Sequence, residues 1–72
     1  MRNVDAEKKI AAFIKAKRRV AGMTQEGLAA ALQAPQSMIA KLEACEKRLT
    51  LVEAIRIARV LGFPLAEFDE TR

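Results

Sequence analysis

Gln36, Ser37 and Lys41 stand close together in a segment that reads as the second of two short, abutting helices. An amide, a hydroxyl and an ammonium group are hydrogen-bonding equipment, and no base stands beside them to make a nucleophile. The chain has no histidine, so His-dependent triads, His-built zinc sites and His proton shuttles are excluded. Cys45 is the single cysteine, which excludes an internal disulfide and a cysteine-cluster metal site. No phosphate-cradling glycine loop is present, and 72 residues leave no length for a catalytic pocket. No enzyme, cofactor, metal or small-molecule ligand is expected. Recognition remains. The formal net charge is +4, from 13 Lys+Arg against 9 Asp+Glu. Two short helices that must pack on each other push the front of the second one outward, and on a basic chain that geometry suggests a helix offered to a DNA groove.

The charges are placed unevenly. Lys15, Lys17, Arg18 and Arg19 gather at the end of the first helical segment, Lys41, Lys47 and Arg48 in or after the candidate reading helix, and Glu67, Asp69 and Glu70 near the C-terminus. Net charge alone fits ordinary surface solubility. The asymmetry suits a polyanion approached from one side.

The elements that must hold these residues are helices. Hydrophobic residues make up 51% of the chain and aromatic ones 4%, so the core is aliphatic and rich in the residues that lose least on entering a helix. The first helix is expected from about Asp5 to Ala21, capped by Asp5, with Ile10, Phe13, Ile14, Lys17 and Ala21 on one face and Gly22 closing it. Thr24 caps a second helix, about Gln25 to Leu32, with Leu28, Ala29 and Leu32 inward. Gly27 inside it costs about 1 kcal/mol against alanine and reads either as a site of close approach by another backbone or, the favoured reading, as a weak position. The third runs from Pro35 or Gln36 to Ala44 and buries Ile39 and Leu42. Thr50 and Glu53 have capping-box spacing at the start of a fourth helix, whose inner stripe is Leu51, Ala54, Ile55, Ala58 and Leu61 and whose end is Gly62. A short fifth helix is expected over about Pro64 to Phe68. One all-α domain thus fills residues 1–72, with a helix-turn-helix unit at about 24–44.

In order and spacing, Arg18, Gly22-Met23-Thr24-Gln25, Leu28-Ala29, Gln36-Ser37, Ile39, Leu42-Glu43, Leu51, Ala58 and Leu61-Gly62 resemble the Xre-type helix-turn-helix family, the DNA-binding fold of the phage lambda and Cro repressors. The likeness runs from about Glu7 to Phe68 and implies a compact five-helix lambda-repressor-like domain. It implies that Gln25, with Thr24 at the same helix start, contacts a DNA phosphate, as helix N-termini favour. It places Gln36, Ser37, Ala40 and Lys41 at the base-reading positions. Gln can bond adenine at two points, Lys can reach guanine acceptors or a phosphate, and Ala40 can lie against a thymine methyl. On periodicity alone the same positions read as a solvated polar face. Met38 reads equally as rim packing or as an apolar groove contact. The resemblance also implies a salt bridge between Arg18 and Glu43, and, more weakly, phosphate contacts by Lys47 and Arg48.

Four positions depart from the family pattern. Gln33 and Cys45 stand where relatives carry glycine, Gln33 in a turn that takes a left-handed backbone, where a side chain costs about 1 kcal/mol. Pro35 and Pro64 replace capping residues, which leaves the start of the third helix open to a shift, with Ser37 or water serving its free N–H groups.

The reading that follows is a sequence-specific transcriptional regulator, dimeric on a pseudo-palindromic site with half-sites about 34–36 Å apart, because one small module buries too little DNA. Phe68 is the expected exposed anchor of the pairing surface, with Leu65 beside it, while Phe63 and Leu65 also fit a core. The alternative is a helical module on the same fold that docks a protein partner. Phage-type repressors, restriction–modification controllers and antitoxins share this form, and the residues do not separate them. The N-terminus Met1 to Asp5 lacks a leader's apolar stretch, and no segment approaches the roughly 20 apolar residues of a membrane span. A cytoplasmic, bacterial or phage-type location is expected.

Overall fold

Every described element is a helix, and α1 to α4 each close on a local backbone device. The computed structural model describes residues 3–71; Met1 and Arg2, on which part of the expectation about a leader falls, and Arg72 lie outside them. The helices are α1 (Val4–Val20), α2 (Gln25–Ala31), α3 (Gln36–Glu43), α4 (Leu51–Leu61) and α5 (Ala66–Thr71).

The N-caps follow side-chain chemistry. Asn3, not Asp5, caps α1: its side-chain oxygen accepts from the Ala6 N–H at 3.0 Å. The helix starts one residue before Asp5, which joins Glu7 in the first turn, where both meet the positive end of the dipole. Thr24 Oγ1 accepts from the Gly27 N–H at 2.9 Å. A methyl group on Gly27 would stand 3.2 Å from that same hydroxyl, so the glycine keeps clear the cap of its own helix. Thr50 and Glu53 form the full capping box at 2.9 and 3.1 Å. Pro35 precedes α3 with extended backbone and no side-chain bond. The helix begins directly after it, at Gln36, without the shift that proline had left open.

The C-termini of α1, α2 and α3 close in one way. The residue two beyond each helix is left-handed: Gly22 at φ +72°, Gln33 at +55° and Cys45 at +60°. Its N–H and the next one bond back to carbonyls of the last turn, as in Gln33 to Ala30 at 3.1 Å and Ala34 to Ala29 at 2.9 Å. Glycine adopts this conformation without strain, whereas Gln33 and Cys45 do not. Gln33 is exposed, so Gln33→Gly loses little packing and is expected to stabilise by about 1 kcal/mol, a rise of about 4–8 °C in melting temperature for a domain of this size. A melt that does not rise contradicts the strain argument.

One aliphatic core holds the helices, with Ile14, Leu28, Ile39 and Ile57 fully buried at its centre. α1 buries Ala11, Ile14 and Arg18; Ile10, Phe13 and Lys17 are half-buried beside them, and Ala21 is exposed, against expectation. On α4 the buried stripe is Ala54, Ile57 and Ala58. Ile55 is half-buried and Leu51 is 68% exposed, because the stripe turns toward Ile57 and the first turn overhangs the core.

α5 starts later than expected. Tight-turn bonds from the Glu67 N–H to Pro64 and the Phe68 N–H to Leu65 come first, at 3.0 and 3.1 Å. Phe68 is 8% exposed, so the expected surface anchor is a core residue. It meets Phe13 and Phe63 edge-on, with ring centroids 5.1–5.3 Å apart among the three. Lys17 covers this cluster, its ammonium 5.6 Å from the Phe13 ring centre and 5.3 Å from that of Phe63, and 3.3 Å from Glu67 on α5. Among the described residues, no helix is long and apolar enough to cross a membrane.

Candidate nucleic-acid interface

α2 and α3 are short, and neither is stable alone. Leu28, Ala29 and Leu32 from one and Ile39 and Leu42 from the other are buried in the shared core. That burial fixes the rotation of α3, and the flank away from the buried pair turns outward: Gln36, Ser37 and Lys41 are exposed and Ala40 half-buried. They fall on one flank at i, i+1, i+4 and i+5. Met38 packs half-buried against the core, as rim packing.

A chain of hydrogen bonds ties the front of this flank to α1. Arg18 Nε donates to Glu43 Oε2 at 2.6 Å and Nη2 to Oε1 at 3.0 Å, while Nη1 donates to the Met23 carbonyl at 2.8 Å. The two side chains are 9% and 4% exposed. Glu43 Oε1 accepts a further bond from Gln25 Nε2 at 3.1 Å, and Gln25 Oε1 accepts from Gln36 Nε2 at 3.2 Å. A cleft lined by Arg18, Thr24, Gln25, Glu26 and Gln36 lies over these groups.

Burial pushes the Glu43 carboxyl up, but hydrogen bonds from Arg18 and Gln25 and the charges of Arg18 and Lys15 outweigh it and hold the group below its ordinary value of 4.5. Glu53 is likewise held low, burial being outweighed by Lys47 and the Thr50 cap. The hydrogen bond to Glu43 raises Arg18 further. The folded state therefore binds fewer protons than the unfolded chain in acid. The stabilisation is complete above the ordinary glutamate value of 4.5 and is lost as pH falls through the lower folded values. Melting temperature is expected to hold from neutral pH to about 5 and then drop, with a smaller drop in Glu43→Gln. Equal drops in the two proteins would remove Glu43 as the cause.

The other cations divide. Lys47 donates to both carboxylate oxygens of Glu53, at 2.9 and 2.8 Å, and to the Arg48 carbonyl at 3.1 Å. It braces the capping box. Arg48 is 68% exposed in its side chain and lies 4.0 Å from Glu7. Lys17 and Arg18 turn into the protein, so of the basic group ending α1 only Lys15 and Arg19 stay on the surface. Thr24 is exposed with its hydroxyl oxygen already serving the cap. Sequence reasoning missed Arg56, whose guanidinium donates to the Leu32 carbonyl at the end of α2; no local spacing signals a bond across that separation. It also missed the link from Glu43 through Gln25 to Gln36.

Comparison with curated proteins gives no match. Comparison with protein families does: the helix-turn-helix family HTH_3 matches residues 14–68, from the middle of α1 to Phe68 in α5. With that match over most of its length, the chain belongs to the Xre-type helix-turn-helix family of DNA-binding domains.

Proposed function

We propose that the domain is a sequence-specific transcriptional regulator that reads the DNA major groove with the outward flank of α3. The exposed row of Gln36, Ser37 and Lys41, with Ala40 among them, carries this reading. An eight-residue helix is about 12 Å long, close to the width of the B-form major groove. Gln36 and Lys41 supply donors for base edges, and Ala40 a methyl-sized apolar contact. Gln25 uses one amide N–H on Glu43, which leaves its second N–H for a phosphate oxygen, with Thr24 beside it and Arg48 as an exposed cation. Lys47 contributes least, since Glu53 already neutralises it.

Pairing on a two-fold site multiplies a contact that is small for one module. Leu51, Val52 and Leu65 are 68%, 65% and 40% exposed. Leu51 and Leu65 border an apolar groove to which Phe68 belongs. A second copy of the chain is the proposed occupant, with Leu65 as a contact and Phe68 as floor. Such a regulator works in the cytoplasm, where its DNA is. The alternative reading, docking of a different protein, draws on the same exposed leucines.

Selection of bound sequences from random duplexes tests the proposal. A pseudo-palindromic preference and a steep loss of affinity with salt are expected. Lys41→Ala and Gln36→Ala are expected to melt as the parent does, yet each weaken specific binding by about 1–3 kcal/mol per lost base contact. Unchanged operator affinity in both variants removes α3 as the reading element. Leu65→Glu is expected to yield monomers in sedimentation. A folded protein indifferent to DNA sequence, yet retaining another protein on the Leu51–Leu65 face, supports the alternative.

A further inference from the structure

We infer that the cavity between α1, the end of α3 and the loop before α4 is a site for a free α-amino acid with a bulky apolar side chain, held by its two charged groups between Glu7 and Arg48. The space measures about 210 Å³. None of the outward row of α3 lines it, so the inference stands apart from the DNA reading. Its wall is apolar: Ile10, Ala11 and Ile14 come from α1, Leu42 from α3 and Leu49 from the loop that leads to α4. An apolar cavity of about 150 Å³ stays dry and takes up benzene. This one is larger, so it has room for a ring or a branched chain, whose burial is favourable. Cys45, half-buried, adds a thiol to the same wall.

The mouth carries charges of both signs, from Glu7, Lys47 and Arg48. Lys47 is committed to the two carboxylate oxygens of Glu53, at 2.9 and 2.8 Å. Arg48 is not: its side chain is 68% exposed, and its Nε lies 4.0 Å from Glu7 Oε1, beyond hydrogen-bond reach. A guanidinium can fork onto a carboxylate with two N–H groups. The Glu7 carboxylate has about four lone-pair sites, so it can accept an ammonium in addition to the bonds it already has. One cationic and one anionic group at the rim of an apolar pocket complement a zwitterion with an apolar tail. A simple carboxylic acid meets repulsion from Glu7, and a simple amine meets it from Arg48. A peptide carries its free ammonium and carboxylate at opposite ends, which leaves the free amino acid as the occupant.

Calorimetric titration with L-phenylalanine and L-leucine tests this, beside 3-phenylpropionate, which lacks the ammonium, phenethylamine, which lacks the carboxylate, and glycine, which lacks the tail. A ligand of about a dozen non-hydrogen atoms is expected to bind with a Kd of about 1 mM or below. The three incomplete ligands are expected to bind at least about fivefold more weakly than the better amino acid. At about ten times Kd, the melting temperature is expected to rise by about 5–10 °C and alkylation of Cys45 by iodoacetamide to slow about tenfold. Two substitutions separate contact with the ligand from a structural role. Arg48→Ala is expected to weaken the amino acid and phenylpropionate but not phenethylamine. Glu7→Gln is expected to weaken the amino acid and phenethylamine but not phenylpropionate. Failure of both amino acids to bind, phenylpropionate binding as tightly as the better of them, or a Cys45 alkylation rate that the bound amino acid leaves unchanged overturns the inference. Equal binding of the amino acid by the parent and both variants overturns it too.

Discussion

Arg18→Ala is expected to cost about 3–5 kcal/mol of folding stability, because it strands a carboxylate in the interior. Glu43 is 4% exposed in its side chain and takes two of its three bonds from that guanidinium. The Met23 carbonyl loses its donor at the same stroke. Small domains hold only about 5–15 kcal/mol in total, so the loss is a large share of the margin. At about 4–8 °C per kcal/mol, the melting temperature should fall by more than about 12 °C. Lys47→Ala provides the contrast: its ion pair with Glu53 is partly exposed and such pairs contribute about 1 kcal/mol or less. Replacing both buried partners, Arg18→Met with Glu43→Leu, should recover much of the loss, since a buried pair often exchanges for apolar side chains at little cost. Denaturant unfolding of the four proteins measures this. A loss below about 1 kcal/mol in Arg18→Ala would show the pair to be dispensable.

Phe68→Ala is expected to cost about 3–5 kcal/mol as well, by emptying the core rather than by parting subunits. The ring is 8% exposed and meets Phe13 and Phe63 edge-on, and edge-to-face pairs contribute about 0.5–1.5 kcal/mol beyond burial. α5 has six residues and cannot persist without its anchor. Its amides should exchange early in hydrogen–deuterium exchange, before those of α2 and α3. Leu65→Ala, at a site already 40% exposed, should leave the melt nearly unchanged. If Phe68→Ala instead melted like the parent and lost only self-association, Phe68 would be a surface anchor after all.

Phe68 shows what the sequence could not disclose. It stands in an acidic terminal stretch, where one aromatic residue reads as exposed, and it is buried by side chains from the opposite end of the chain. Lys47 misled in the same manner, and so in part did Lys17, which its spacing places on the inner face of α1 but which also counts in a basic cluster: Glu53 and Glu67 claim them. Signals that act within one helical turn were legible. Thr24, the Thr50–Glu53 pair, Gly22 and Gly62 all cap helices where their spacing predicted. Burial was legible only where one helical register fitted, and on α4 Ile55 and Ile57 both did. The outward row on α3 came from the family resemblance, since periodicity assigns Gln36, Ser37 and Lys41 merely to solvent. The bond from Gln25 to Glu43 joins α2 to the far end of α3, and no local rule reaches that far.

Phe13, Phe63 and Phe68 are all the aromatic side chains the chain has; tryptophan and tyrosine are absent. Phenylalanine absorbs and emits too feebly to be useful in the near ultraviolet. The domain is therefore almost dark to the optics by which binding and unfolding are usually watched, and any strong signal in a DNA titration belongs to the nucleic acid. Leu65→Trp, at the edge of the groove that Phe68 lines, would give it a single lamp where two copies are proposed to meet.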